Sequence, residues 1–241
     1  MNADAALPTR SGLSVLLDVI LAPRAAFEAL ATRTHWGWAF AIICVMGCVG
    51  AVLQVPAGHH VMVATFTQNP SHDPKIAAMS SADVQQAIKV ASAFQQWTWV
   101  FYPLIVLAAV AVTALVLLVG SAVGRGKATF ARLFGFAMNV AIVNYGLNYF
   151  LIGVLVTLRG PDAFSTQRDL LGTVPSLAWL APAGSAKLAA LLAQFNPFQI
   201  WSFFLIALGL TIVAKMPRVP AYVAAAIVTF GDAVLTVPFA R

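Results

Sequence analysis

The sequence predicts an all-α membrane protein, a five-helix transmembrane bundle with amphipathic helices at its N-terminus and in its outer loops. Three observations support this prediction. Of the 241 residues, 61% are hydrophobic and only 9% are charged, whereas a soluble domain carries about 25% charged residues. Five apolar stretches are long enough to cross about 30 Å of hydrocarbon, which takes roughly 20 helical residues. Lys and Arg flank these stretches, as is typical of membrane proteins.

The N-terminal segment, residues 1–34, is predicted to be cytoplasmic and amphipathic. Apolar residues recur there at helical spacing, at Leu13, Leu16, Leu17, Ile20 and Leu21. Pro23 disfavours helix at the residue before it and suits the first turn of a second helix, which presents Phe27 and Leu30 on one side. Two arrangements stay open, because the pair can lie on the membrane surface or pack beneath the bundle. No cleavable signal peptide is expected.

The membrane domain is predicted to occupy residues 35–241. Its spans cover approximately residues 36–55, 99–120, 133–158, 198–214 and 219–239. Helices are expected because no alternating β-barrel pattern appears and a helix satisfies its own backbone in lipid. Two outer loops, about 56–98 and 159–197, are long. In the first, Ser80 or Ser81 is expected to cap a helix, and in the second "GSAKLAALLAQF" is expected to lie flat on the outer leaflet.

The positions of the basic residues predict the orientation. With the N-terminus inside, eight Lys and Arg lie on the cytoplasmic side and six on the other. The inner connections are short and dense in positive charge, which is the arrangement that the positive-inside rule weights most. The N-terminus is therefore expected in the cytoplasm and the C-terminus outside, in a bacterial cytoplasmic membrane. The net charge of +6 is scattered beside apolar runs, so lipid headgroups and not nucleic acid are the expected partners.

Several pieces of the chain resemble the bacterial branch of the Yip (Ypt/Rab-interacting protein) membrane family. They are "APRAAFEAL" followed by "HWGWAF", the turn "GRGKATFARLF", and "NPFQIWSFFLIALGL". The resemblance implies a five-helix membrane fold with a cytoplasmic N-terminus. It does not imply the vesicle-traffic and Rab GTPase activities of the eukaryotic members, since their tyrosine-glycine-proline signature before the first span is missing here.

A lone acid in the fifth predicted span is the strongest candidate for chemistry. Asp232 shares a helical stripe with Thr229 and Thr236. An Asp at the centre of a span costs about 2.5 to 3.5 kcal/mol on insertion scales, so it is expected to face protein or water. Two interpretations stay open: a protonatable group lining a polar path, or a hydrogen-bonded pin between the third and fifth helices.

The third predicted span supplies candidate partners for this acid. It carries Asn139, Asn144 and Asn148, of which the last two share a helix face, and Tyr145 lies beside Asn148. The fourth span offers Gln199. Together with the acid and the two threonines, the asparagines and Tyr145 form the predicted intramembrane polar cluster.

No residue pattern predicts catalysis, a metal or a cofactor. Cys44 and Cys48 lack a third ligand, and the loop group His59, His60, His72 and Asp73 lacks fitting geometry. The "GRGK" turn lacks the spacing of a phosphate-binding loop. The sequence therefore predicts a non-enzymatic multipass protein that organises the membrane or binds lipid or protein partners, the latter through its N-terminal segment. The alternative is a small transporter or lipid-translocating protein that uses a polar path near Asp232.

Overall fold

The computed structural model describes residues 11–67, 77–166, 169–170, 172–182 and 185–236, with the backbone alone for 186 and 232–236. Within these residues the chain is helical and contains no strand. The predicted all-α class is therefore confirmed. The side chains of Asp232 and Thr236 and the loop residues His72 and Asp73 lie outside the described residues.

Two short helices open the fold, α1 (Gly12–Leu21) and α2 (Pro23–Thr32). The hydroxyl of Ser11 caps α1 by accepting the Ser14 N–H at 3.2 Å, and Pro23 occupies the first turn of α2. Both helices bury an apolar side in the main core, and α2 packs on the helices Pro197–Val213 and Phe130–Ala141. The pair thus packs one apolar side on the bundle, and contact of its other side with the membrane surface stays a prediction.

Three long apolar helices follow. They are α3 (Gly37–Thr67), α4 (Ser81–Val123), and a third helix over Phe130–Arg159. The third helix consists of α5 (Phe130–Ala141), a π-helical segment (Ile142–Asn148) and α6 (Tyr149–Arg159). Ser80 caps α4, as expected, and accepts the Asp83 N–H at 3.2 Å. Each of the three is long and apolar enough to cross a bilayer.

Two short 3₁₀ helices follow, Pro161–Ala163 and Leu177–Leu180. After them come α7 (Ala186–Ala193), α8 (Pro197–Val213) and α9 (Arg218–Thr236). The α7–α8 pair is bent by 54° and reaches span length only when counted as one unit, so the described residues contain three span candidates, or four with that pair. The membrane class is confirmed, and the count of five spans stays a prediction.

In the bundle, α3 packs between α4 and α6, and α8 packs against α9 and α5. The "GRGK" turn lies where α4 ends. There the Lys127 N–H donates to the Ala214 carbonyl at 2.8 Å, which joins this turn to the α8–α9 turn. We call the end that holds these turns and α1–α2 the proximal end, and the opposite end the distal end.

Two apolar clusters hold the bundle together. The main core joins α1 and α2 to α4, α5, α8 and α9, and its largest buried side chains include Phe27, Phe136 and Leu210. A smaller distal cluster joins Ala57 and Val61 of α3 to Val156 of α6 and to Phe164 in the segment after it. The second connection therefore packs onto the long helices at the distal end.

Candidate functional site

Asn144, Tyr145 and Asn148 of the third helix lie on its π-helical segment, Ile142–Asn148. A π segment widens the helical turn by one residue, is rare, and occurs frequently at functional sites. In this segment the Tyr102 hydroxyl of α4 donates to the Tyr145 carbonyl. Just beyond it, the Gln54 side-chain amide of α3 donates to the Tyr149 carbonyl at 3.5 Å. Backbone carbonyls of the widened region thus accept hydrogen bonds from neighbouring helices.

Asn144 joins the third helix to α8. Its side-chain amide donates to the Ser202 hydroxyl at 3.0 Å. The side-chain oxygens of Asn144 and Asn148 are buried and accept no hydrogen bond from the described residues. Since a buried acceptor without a donor is unfavourable by about 1–3 kcal/mol, these two oxygens are sites for a hydrogen-bond donor.

A second polar contact joins α8 to α9. The Gln199 side-chain amide donates to the Thr229 carbonyl at 2.6 Å. Thr229 is buried, and its hydroxyl oxygen has no partner among the described residues. Gln199 and Ser202 are three residues apart on α8 and share one face. Because α8 runs antiparallel to the third helix, Asn148 and Gln199 lie at a similar depth, one turn distal to the Asn144–Ser202 bond.

Asn139 has different partners. It is fully buried, and its amide donates to the His35 carbonyl at 2.5 Å and to the Gly135 carbonyl at 2.7 Å. His35 lies just before α3, at the proximal end. Asn139 therefore fixes the start of α3 to the third helix. Asn144, Gln199 and Thr229 lie further along the bundle toward the distal end, and we call these three residues and their hydrogen-bond partners the layer. Asn139 is separate from it.

The acid at the centre of the sequence prediction lies on α9 in the described backbone. Asp232 is three residues beyond Thr229, which places its Cα about 4.5 Å further toward the distal end. Its side chain and that of Thr236 fall outside the described residues. The grouping of these two residues with the asparagines and Tyr145 stays a prediction.

The layer consists of uncharged amides and hydroxyls. Among the described residues, no group of three or more His, Cys, Asp or Glu side chains lies close enough to hold a metal ion. The Cys48 thiol lies 3.4 Å from the Trp99 carbonyl, to which it donates across the α3–α4 contact. The described geometry thus supports hydrogen bonding between helices.

The sequence did not predict three features of this region: the Ser202 hydroxyl that accepts from Asn144, the Tyr102 hydroxyl that donates to Tyr145, and the π-helical backbone. Ser202 follows Gln199 by three residues, a spacing that puts both on one helix face and was visible in the sequence. The π-helical segment has no comparable signal, because its widened turn depends on how the neighbouring helices pack.

Comparison with known proteins decides the family. Residues 17–237 match the Yip1 domain. The chain belongs to the Yip1 domain family. Among relatives of this Yip1-domain protein, the membrane protein YknW of Bacillus subtilis is 31% identical over 109 residues, which are 45% of this chain and 43% of YknW. The matched region thus spans less than half of that relative. No solved structure matches.

Membership in the Yip1 family agrees with the apolar helices. The protein is an integral membrane protein of Yip type whose helices contact lipid. The resemblance drawn from the sequence pieces "APRAAFEAL" and "NPFQIWSFFLIALGL" is confirmed.

Proposed function

We propose that this protein is a non-enzymatic organiser of a bacterial cytoplasmic membrane, which binds lipid or protein partners through its N-terminal helices. Residues 1–34 form its cytoplasmic part, and residues 35–241 form a five-span membrane domain with the C-terminus outside. The length of α9 supports a fifth span, since 19 residues extend about 28 Å as a helix.

The surface of α1 carries this proposal. Val15, Leu16 and Val19 are buried against the bundle, whereas Leu13, Leu17 and Leu21 are 41%, 54% and 80% exposed. These three exposed leucines follow one another at intervals of four residues and form one face, which we call the leucine stripe. Because α1 is apolar on both sides and the bundle covers only one, we expect its leucine stripe to contact a second apolar surface outside the bundle.

The bundle holds the leucine stripe in a fixed position. Phe27 of α2 is fully buried and meets the Phe136 ring edge to face at a centroid distance of 5.2 Å. On the polar side of α2, Arg24 and Glu28 form an exposed ion pair at 3.2 Å. An apolar stripe beside charged groups fits the boundary between headgroups and acyl chains, or the apolar face of a partner helix.

Photo-crosslinking in native membranes tests the partner surface. A photoreactive residue replaces Leu17 in the full-length protein, and the matched control carries it at Glu28, which is exposed on the neighbouring helix. We expect lipid adducts or one discrete protein adduct from position 17 and neither from position 28. Equal yields from the two positions would refute the leucine stripe as a binding surface.

Reporter fusions test the topology separately. An alkaline phosphatase fused after residue 241 is expected to be active outside the cytoplasm, and a fusion at the N-terminus inactive. Both termini in one compartment would contradict the five spans.

The second candidate function is transport of a small solute or lipid along a polar path near Asp232. The buried oxygens of Asn144, Asn148 and Thr229 favour it, because they accept no hydrogen bond from the described residues. A water-filled path would let a hydrophilic thiol reagent reach Asn148→Cys, in a protein whose Cys44 and Cys48 are replaced by alanine.

Val156→Cys is the matched control for this labelling, since Val156 is buried in the distal apolar cluster of the same helix. Labelling at position 148 alone supports a path, and no labelling at either position supports a dry layer.

Substitution of Asp232 further separates the polar path from the hydrogen-bonded pin. Asp232→Leu is expected to lower the thermal midpoint if the acid is a pin, while Asp232→Asn keeps a hydrogen-bonding side chain and retains the fold.

A further inference from the structure

A cleft with apolar and polar walls opens at the distal end of the bundle between α3 and α4. Its volume is about 470 Å³, and its walls change in polarity from one end to the other. Val55 and Pro56 line the end nearer the membrane interior, and His59 follows Val55 by one helical turn. From α4, Ser92 and Gln96 complete the polar end. We call this space the distal cleft.

Specific contacts hold the walls of the distal cleft in place. The Gln95 side-chain amide of α4 lies against Gly58 of α3, in the space that a Cβ would occupy. On the third side, the His60 Nδ1 lies 2.8 Å from the Phe164 carbonyl, and its Nε2 lies 3.6 Å from the Asp162 carboxylate. Phe164 is itself buried in the distal apolar cluster. The walls are thus parts of packed elements.

The depth of the distal cleft matches the headgroup layer of a bilayer. About 20 residues of α3, counted from Gly37, cross the hydrocarbon, so His59 lies three residues, or about 4.5 Å, beyond it. Gln96 precedes the second predicted span, 99–120, by three residues and so lies about 4.5 Å outside it. Trp97 and Trp99 are exposed beside it, as is typical of side chains at the membrane interface. Counts along two helices therefore give the same depth.

From the membrane interior outward, the lining of the distal cleft changes from apolar to polar, as a phospholipid changes from acyl chain to headgroup. Apolar side chains lie at acyl-chain depth, and an imidazole, a hydroxyl and amides lie at phosphate depth. The amide N–H of Gln96 and a ring N–H of His59 are donors that match phosphate oxygens. The Ser92 hydroxyl donates to the Ile88 carbonyl at 2.7 Å and is not counted among these donors. We propose that the distal cleft binds the phosphate headgroup of a phospholipid from the leaflet that surrounds it.

This assignment is independent of the leucine stripe and of the membrane orientation. It requires that α3 and α4 cross the bilayer, and it places the ligand at the opposite end of the bundle from α1. Asp162 is the carboxylate next to the distal cleft in the described structure, and it faces the His60 imidazole. A phosphate at the polar end meets the hydrogen-bond donors of His59 on α3 and Gln96 on α4.

Native mass spectrometry of the full-length protein in detergent tests the site. The probes are phosphatidylglycerol, diacylglycerol with matching acyl chains, and inorganic phosphate. We expect the phospholipid to bind in preference to both others. The variant His59→Ala/Gln96→Ala should weaken its binding by about tenfold or more, since each hydrogen bond to a charged group contributes about 1.5–3 kcal/mol. Equal binding of diacylglycerol, or of inorganic phosphate alone, would overturn the proposal.

A matched control and a second variant keep the test decisive. Gln85→Ala/Gln86→Ala alters two exposed glutamines of α4 outside the distal cleft, and its phospholipid binding should equal that of the wild type. Gln96→Glu preserves the side-chain shape and adds a negative charge opposite the phosphate, so it should also weaken phosphatidylglycerol binding. Wild-type affinity in Gln96→Glu and in the double alanine variant would refute the site.

Discussion

The contact between α3 and α6 allows a sharp test of the packing, because two glycines meet there backbone to backbone. A Cβ added at Gly153 would lie 2.8 Å from the Gly50 carbonyl oxygen and 2.9 Å from the Gly50 Cα. Alanine is favoured over glycine by about 1 kcal/mol within a helix, whereas overpacking costs typically about 1–3 kcal/mol. The obstacle is backbone, so no side-chain rotation relieves it and the helices must separate. A rigid obstacle places the cost in the upper part of that range, about 2–3 kcal/mol. After the helix preference for alanine is subtracted, we expect Gly153→Ala to lower the free energy of unfolding by about 1–2 kcal/mol.

Unfolding in mixed micelles, followed by helical circular dichroism, measures this change. Gly231→Ala is the matched control, because α9 leaves open space at that position and the nearest atom, on Ile227, is 4.0 Å from the added Cβ. The control should be neutral or more stable by up to about 1 kcal/mol. A Gly153→Ala protein as stable as the wild type, or equal losses in both variants, would refute the close contact between α3 and α6.

Three further experiments test the hydrogen bonds and the core by the same unfolding assay. A double-mutant cycle of Asn144→Ala and Ser202→Ala should give a coupling energy of about 0.6–1.7 kcal/mol, as for hydrogen bonds between membrane helices; a coupling of zero contradicts the bond. Tyr102→Phe removes the hydroxyl that donates to the Tyr145 carbonyl, and should lower stability by about 0.5–1.5 kcal/mol. Phe27→Ala opens the proximal core and should lower stability by about 3–5 kcal/mol; a loss below 1 kcal/mol would mean that α2 is not packed as described.

The long helices were predictable because hydropathy is a local property. The predicted spans 36–55, 99–120 and 133–158 all fall within helices that the structure describes. Hydropathy reports only the part of a helix that matches the hydrocarbon. For that reason the sequence analysis placed residues 56–67 in a loop, whereas α3 continues without a break to Thr67. The distal cleft lies between such continuations of α3 and α4.

For the N-terminal helices, the local pattern predicted the helix but not which of its sides is buried. The spacing of Leu13, Leu16 and Leu17 predicted a helix, but it was compatible with the membrane surface and with packing beneath the bundle. The structure buries Leu16 and exposes Leu13 and Leu17. Which of the two apolar sides of α1 becomes buried depends on the shape of the surface formed by α2, α3 and the third helix. This surface exists only after these helices have packed together.

For the polar residues, too, some features are determined by the sequence and others by the tertiary structure. The sequence by itself determined the membrane class, the helices and the presence of amides in the third span, because composition and periodicity are properties of neighbouring residues along the chain. Only the tertiary structure decided that Asn144 bonds Ser202, that Asn139 bonds the His35 carbonyl, and that Gln199 bonds the Thr229 carbonyl. Partner choice depends on the rotation and depth of one helix relative to another, which are set by packing over the whole bundle.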